Sequence, residues 1–316
     1  MEPAPSKTLA WVRIARLQFY PMVAIMYGAG AAAARVHTGH FDWTLCLLTY
    51  LCLFLIELAT VMTNEYFDYA SDVENRNAGP FTGGSRMLVV GALSFAEVRR
   101  AVVTATVALV VVTAGIVAVA PDGRGGLIAA LLALGLVLGI GYTAPPLRLS
   151  YRGLGEIDVA FTHSIYVLAL GYVAQTGAWN DPLPYLLALP AFFAVLSANT
   201  LAGIPDRSAD LTVGKRSYSV VFGARSAAVI AMTAALAAAL AGVWLWASGT
   251  VDGRIGLAFF ATVPHALALV AALVRFVRSG SHDRRIDPIM INALNFIVWF
   301  GLIPLVYYLW HARSLS

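Results

Sequence analysis

Charge is what this sequence has least of. Only 12% of its 316 residues are Asp, Glu, Lys or Arg, about half of the roughly 25% expected of a soluble globular domain. That shortage excludes an ordinary water-soluble enzyme and puts the lipid bilayer first. Cysteine is nearly absent too. Cys46 and Cys52 lie in one apolar stretch with no second pair elsewhere, which excludes a disulfide framework or a thiolate metal site and leaves packing as their role. A continuous basic patch is also missing. The net charge of +4 and the pI near 9.1 come from Arg and Lys scattered between apolar segments, so nucleic acid is not an expected partner and membrane topology accounts for the bases.

What fills the sequence is apolar chain, 59% of all residues. Crossing a bilayer takes roughly 20 apolar residues in a helix. Stretches of that kind occur at 18–36, 43–66, 97–120, 125–143, 156–177, 183–204, 225–248, 255–277 and 289–310. The reading is an all-α integral membrane protein, a bundle of about nine transmembrane helices. It forms a single domain over 1–316, in which about 1–12 is a flexible N-terminal segment. Longer polar loops are expected at 67–96, 144–155, 205–224 and 278–288.

The bases sort by side. With nine spans, 17 of the 21 Lys and Arg fall on the side of the N-terminus; only Arg35, Arg124, Arg254 and Arg313 fall on the other. Basic loops stay in the cytoplasm. The expected placement is therefore the cell (inner) membrane, with the N-terminus cytosolic and the C-terminus opposite. One span more or fewer would scramble the alternation, so the charges support the count independently.

Two acidic motifs stand out at the cytosolic ends of spans. The first is Asn64-Glu65-Tyr66-Phe67-Asp68-Tyr69-Ala70-Ser71-Asp72. Helical residues four apart share a face, so Asn64, Asp68 and Asp72 form a polar stripe that Glu57 extends deeper. The second is Asp206 and Asp210, followed by Gly214, Lys215 and Arg216. Either pair alone is ordinary for a solvated helix end. Two of them on one side of a membrane, beside basic residues, suit a diphosphate held through hard divalent cations. Magnesium takes a few carboxylates plus phosphate oxygens, while Arg and Lys contact the remaining oxygens.

The first motif resembles the NxxxDxxxD pattern of the UbiA superfamily of intramembrane prenyltransferases, and the segment IPDRSADLTVGKRSYSVVFG resembles that family's DxxxD with its Gly-Lys-Arg extension. The runs GGSRMLVVGALS at 83–94 and GYTAPPLRLSYRGLGE at 141–156 are similar to loops of the branch that prenylates dihydroxynaphthoate in menaquinone synthesis. Lys7, Arg13 and Arg16 precede an apolar run ending in Ala31–Ala34, the layout of a signal peptide, but Arg16 and Gln18 lead into a run like the family's first span, so this run is read as retained. Family members often carry Asn or Asp four residues before the second DxxxD. Here that position is Ala202, and Asn199 lies seven residues before Asp206.

The resemblance implies an enzyme that moves a prenyl group from a prenyl diphosphate to a small aromatic or quinone-precursor acceptor, with two Mg2+ ions stabilising the departing diphosphate. It assigns Asn64, Asp68 and Asp72 to one ion and Asp206 and Asp210 to the other. Arg86 and Lys215 are the expected phosphate contacts, ahead of Arg76, Arg148, Arg152 and Arg216. Tyr142 and Tyr151, with Tyr66 and Phe67, are candidates for walls around the allyl cation. His163 could orient or deprotonate the acceptor but is read as a hydrogen-bonded interior histidine and left out of the catalytic set, while Glu57 could tune the site, bind the acceptor or simply pair with a polar group on a neighbouring helix. A terpene cyclase of the same superfamily starts with the same ionisation, and the motifs do not separate the two. A secondary transporter is disfavoured because its site would lie near the midplane.

Overall fold

The computed structural model describes residues 5–280 and 284–313. Among these there are helices and loops and no strand. A short helix α1 (Lys7–Ala15) leads into α2 (Tyr20–Thr38), α3 (Trp43–Phe67), α4 (Tyr69–Glu74), α5 (Phe95–Val119) and α6 (Arg124–Gly141). One further rod is built from α7 (Gly155–Ala160), a π-helical turn (Phe161–Tyr166) and α8 (Val167–Thr176). Then follow α9 (Leu183–Val213), α10 (Tyr218–Phe222), α11 (Ala224–Ala247), α12 (Gly253–Ala258), α13 (Thr262–Arg278) and α14 (Asp287–Ala312).

Eight of these rods are long and apolar enough to cross a bilayer. The remaining long helix, α2, is 19 residues, eight of them Ala or Gly, with Arg35, His37 and Thr38 at its C-terminal end, and it is packed among the others. Its residues Ala29–Ala34 are buried. Close approach explains the composition. A Cβ at Gly30 would fall 1.9 Å from the Leu168 carbonyl oxygen, and one at Gly171 2.2 Å from that of Tyr27. The backbones of α2 and α8 touch where lipid offers no hydrophobic drive, the usual device of membrane helices. By contrast α5 turns Val103, Val107, Val110 and Val111 outward, as a lipid-facing helix must.

Three sequence expectations change. Residues 7–12 of the N-terminal segment read as flexible belong to helix α1: Ser6 caps it and Lys7 pairs with Glu97 at 2.7 Å. Residues 1–4 of that segment, and 281–283 of the loop placed at 278–288, lie outside the described residues. The loop expected from 205 is instead helix, since α9 runs through Pro205 and stops only at Gly214, whose left-handed φ of 75° ends it. Conversely, the first motif is not one continuous helix. Asp68, at φ −90° and ψ 2°, breaks it between α3 and α4.

Candidate active site

The C-terminal ends of α3 and α9 meet at one end of the bundle, and with them the two acidic motifs. Lys215 joins the motifs. Its Nζ lies 2.9 Å from Asp68 Oδ2 and 3.7 Å from Asp210 Oδ1. Gly214 makes this reach possible by turning the chain back at the end of α9. Burial alone would lower the lysine pKa, but Asp68 and Asp210 raise it above its ordinary value, so the ammonium stays charged. Ser217 Oγ donates to Asp210 Oδ2 at 3.1 Å.

The loop after α4 closes over this end. Asn75 Nδ2 donates to Asp206 Oδ1 at 2.7 Å and the Gly83 amide to Asp206 Oδ2 at 3.2 Å. Gly84 has φ 69°, and a Cβ there would fall 2.4 Å from Asp72 Oδ2. Backbone therefore lies directly on a motif carboxylate where no side chain fits. Glu65 is buried and anchors the far end of the loop, accepting from the amides of Ser85 at 2.8 Å and Met87 at 2.7 Å.

These groups line one end of a cavity of about 350 Å³ between α2, α3, α6, α7, α9 and α14. Asn64, Asp68, Asp72, Asp206, Asp210, Lys215 and Tyr142 all face it. Thr143 Oγ1 donates to Asn64 Oδ1 at 2.9 Å. Burial pushes the Tyr142 hydroxyl pKa well up, keeping it neutral. Away from the motifs Met22, Val23, Leu53, Ile56, Leu294 and Ile297 give the wall apolar stretches, with Glu57, Asp158, His163 and Asn199 set among them.

Other expected residues stand back from the cavity. Arg86, at φ 62°, donates through Nη1 to the carbonyls of Asp72 at 2.7 Å and Asn75 at 2.9 Å, bracing the loop from behind. Arg148 lies over the Tyr151 ring at 3.7 Å, and Lys215 Nζ is 5.9 Å from the same ring. Neither Arg148 nor Tyr151 lines the cavity. Arg152 donates to the Pro146 carbonyl at 2.9 Å, while Arg76 and Arg216 are exposed. Tyr66 packs edge-on against Phe67 and Phe95, both at 5.2 Å.

Sequence reasoning passed over Glu65, Asn75 and Arg16, although Arg16 lines the cavity. Glu65 sits next to Asn64 in the motif, but adjacent helical positions point about 100° apart, so it belongs to another face. Asn75 and Arg16 gain their roles only when distant segments fold together.

Burial dominates the electrostatics of Asp72, and with Asp68 and Glu65 near it the carboxyl pKa is pushed up to about 8. Asp68 Oδ1 is buried with no hydrogen-bond partner. Among the described residues no three His, Cys, Asp or Glu side chains cage a metal by themselves. The arrangement is thus acidic, partly unsatisfied and bridged by one cation. It suits metal ions completed by a ligand's own oxygens rather than a closed structural metal site.

The family profile described as "UbiA prenyltransferase family" matches residues 23–294. The 1,4-dihydroxy-2-naphthoate octaprenyltransferase of Escherichia coli (strain K12) is 27% identical over 229 residues, covering 69% of this chain and 70% of that one. The fold matches the apo structure of a UbiA homolog from Aeropyrum pernix K1 with a TM-score of 0.69 at 17% identity, over 91% of this chain and 98% of that one. It also matches a UbiA homolog from Archaeoglobus fulgidus bound to GPP and Mg2+, with a TM-score of 0.58 at 15% identity, over 93% and 99% of the two chains.

Proposed function

The chain belongs to the UbiA prenyltransferase family, and from that membership we propose that it transfers a prenyl group, inside the membrane, from a prenyl diphosphate to a hydroxynaphthoate-type aromatic acceptor. The observation that carries the reading is the meeting of both acidic motifs around Lys215, at 2.9 Å from Asp68 and 3.7 Å from Asp210, at the mouth of a cavity with apolar walls. A diphosphate requires that charged end, and a prenyl tail requires those walls. The naphthoate preference comes from the Escherichia coli relative.

The donor set fits magnesium. Asp68 Oδ1 has no partner, and a lysine ammonium already occupies the gap between the motifs, so the gap is shaped for positive charge. Asn64, Asp68 and Asp72 would hold one ion, and Asp206 and Asp210 another. Bound there, the metal supplies charge that stabilises the leaving diphosphate.

The protein's own residues do the rest. Lys215 neutralises a phosphate oxygen when the ligand displaces it from Asp68. Asn75 and the Gly83 amide hold Asp206 in one orientation. The cavity keeps water from the allyl cation, and Tyr142, neutral and half-buried in the cavity wall, offers an aromatic face. The uneven distribution of Lys and Arg supports a cytosolic orientation for the motif end and the N-terminus.

The test is product analysis by mass spectrometry. Purified protein given a prenyl diphosphate, Mg2+ and 1,4-dihydroxy-2-naphthoate is expected to form the prenylated naphthoid, and to form none without the metal. A cyclised hydrocarbon made without acceptor would overturn transfer in favour of cyclisation.

A further inference from the structure

A second set of polar residues lines the same cavity at a greater depth. Glu57 lies seven residues before Asn64 on α3, and Asn199 seven before Asp206 on α9. The rod starting at α7 runs the other way: Glu156 Oε1 accepts from the Tyr218 amide at 2.6 Å, next to the Ser217 that bonds Asp210, and His163 follows seven residues further in. At 1.5 Å per residue each of the three sits about 10 Å inward from the motif end. Asp158 lies between the levels, and all four residues line the cavity.

Two of these residues carry an oxygen that the protein leaves unpaired. Glu57 Oε2 and Asp158 Oδ1 are both buried without a hydrogen-bond partner, and Asp158 as a whole is only 8% exposed. His163 Nδ1 is engaged with the Val159 carbonyl at 3.2 Å and Thr162 Oγ1 at 3.1 Å. With the Nδ1 hydrogen on Val159, Nε2 is left as an acceptor. His163 sits in the π-helical turn, a local distortion frequent at functional sites. Away from the cavity His265 is paired with Asn292 at 3.0 Å and Trp299 at 2.9 Å, and among the described residues the other buried side-chain oxygens without a partner, Asp68 Oδ1 aside, are hydroxyls rather than carboxyls. An unpaired carboxyl in an apolar setting is costly and marks function in a membrane protein.

We propose that Glu57, Asp158, His163 and Asn199 bind the acceptor, recognising the hydroxyl groups of a flat hydroxylated aromatic molecule held beneath the diphosphate. This rests on the prenyltransferase reading above and adds the residues that select the acceptor. A hydroxyl suits these positions because it donates to an ionised carboxylate and accepts from a protonated one. A hydrocarbon acceptor would leave Glu57 Oε2 and Asp158 Oδ1 unpaired.

Acceptor kinetics in Asp158→Leu, Asp158→Asn and Glu57→Leu test the assignment, with 1,4-dihydroxy-2-naphthoate as acceptor and its 1,4-dimethoxy analogue as competitor. Loss of a hydrogen bond to a charged group predicts an acceptor KM raised about 10- to 100-fold in the Leu variants, with partial recovery in Asp158→Asn. The Kd for a non-cleavable prenyl thiolodiphosphate with Mg2+ is expected to stay within about twofold of wild type, since one lost deep contact leaves the motif end intact. In wild type the dimethoxy compound competes poorly, and in the Leu variants that discrimination shrinks. An unchanged acceptor KM, a KM and thiolodiphosphate Kd that rise together, or equal competition by the dimethoxy compound in wild type overturns the assignment while prenyl transfer stands. Wild-type protein that prenylates no hydroxylated aromatic overturns both.

Discussion

Asn75 holds Asp206 through a 2.7 Å hydrogen bond across 131 residues of chain. The loop behind the first acidic motif thereby orients a carboxylate of the second, so the two halves of the site are assembled as one unit. Asn75→Ala leaves Asp206 with only the Gly83 amide. Hydrogen bonds to charged groups contribute about 1.5–3 kcal/mol. The variant is expected to lose a comparable amount of stability and to bind Mg2+-prenyl diphosphate about tenfold more weakly, measurable by thermal unfolding and by calorimetry.

Lys215 bridges the motifs from a position that a metal ion would contest. In Lys215→Met the diphosphate loses its ammonium partner, and Kd for prenyl diphosphate should rise at least about tenfold. Mn2+ binding without diphosphate should strengthen, because the competing cation has gone. Electron paramagnetic resonance of bound Mn2+ reads this directly; weaker Mn2+ binding in the variant would show that Lys215 organises the carboxylates instead of competing for them.

Asp68→Asn and Asp210→Asn each remove a charge next to Lys215 without changing side-chain size. Turnover is expected to fall at least about a hundredfold in each, with the protein still folded by circular dichroism. Normal magnesium-dependent turnover in either variant removes that residue from the metal-binding set.

Asp72 sets a pH dependence. Its carboxyl is pushed up to about 8, first by burial and then by Asp68 and Glu65. The folded, metal-free protein therefore keeps a proton that the unfolded chain loses above about pH 4, and this group's contribution to stability is lost as pH rises from there through about 8. Metal binding reverses the preference, since a ligand carboxylate must be ionised. Mg2+ affinity should increase with pH up to about 8 and then level. Calorimetry in buffers of different ionisation enthalpy should detect a proton released per ion below that pH and none well above it.

Much of the architecture was legible because bilayer physics is simple to read. Long apolar runs, scarce charge and sided bases all follow from the requirement that a spanning chain satisfy its backbone internally and keep its cations out of lipid. The same scarcity made the motifs visible, since each acidic residue near an apolar run is unusual enough to notice. Boundaries were less legible. The continuation of α9 through Pro205 to Val213 and the break at Asp68 depend on packing at the cavity end, where Asp206 gains Asn75 and the Gly83 amide as partners.

The sequence by itself determined that this is a membrane-spanning helical bundle with two carboxylate motifs on one side, because period, length and charge are local properties. Tertiary structure alone decided which residues of each motif meet, that Lys215 stands between them, that Arg86 braces a loop while Arg16 lines the cavity, and that Glu57, His163 and Asn199 share one depth. Those relationships join residues as distant in the chain as Asp68 and Lys215, 147 positions apart, and only the packing of helices against one another brings such side chains within a few ångströms.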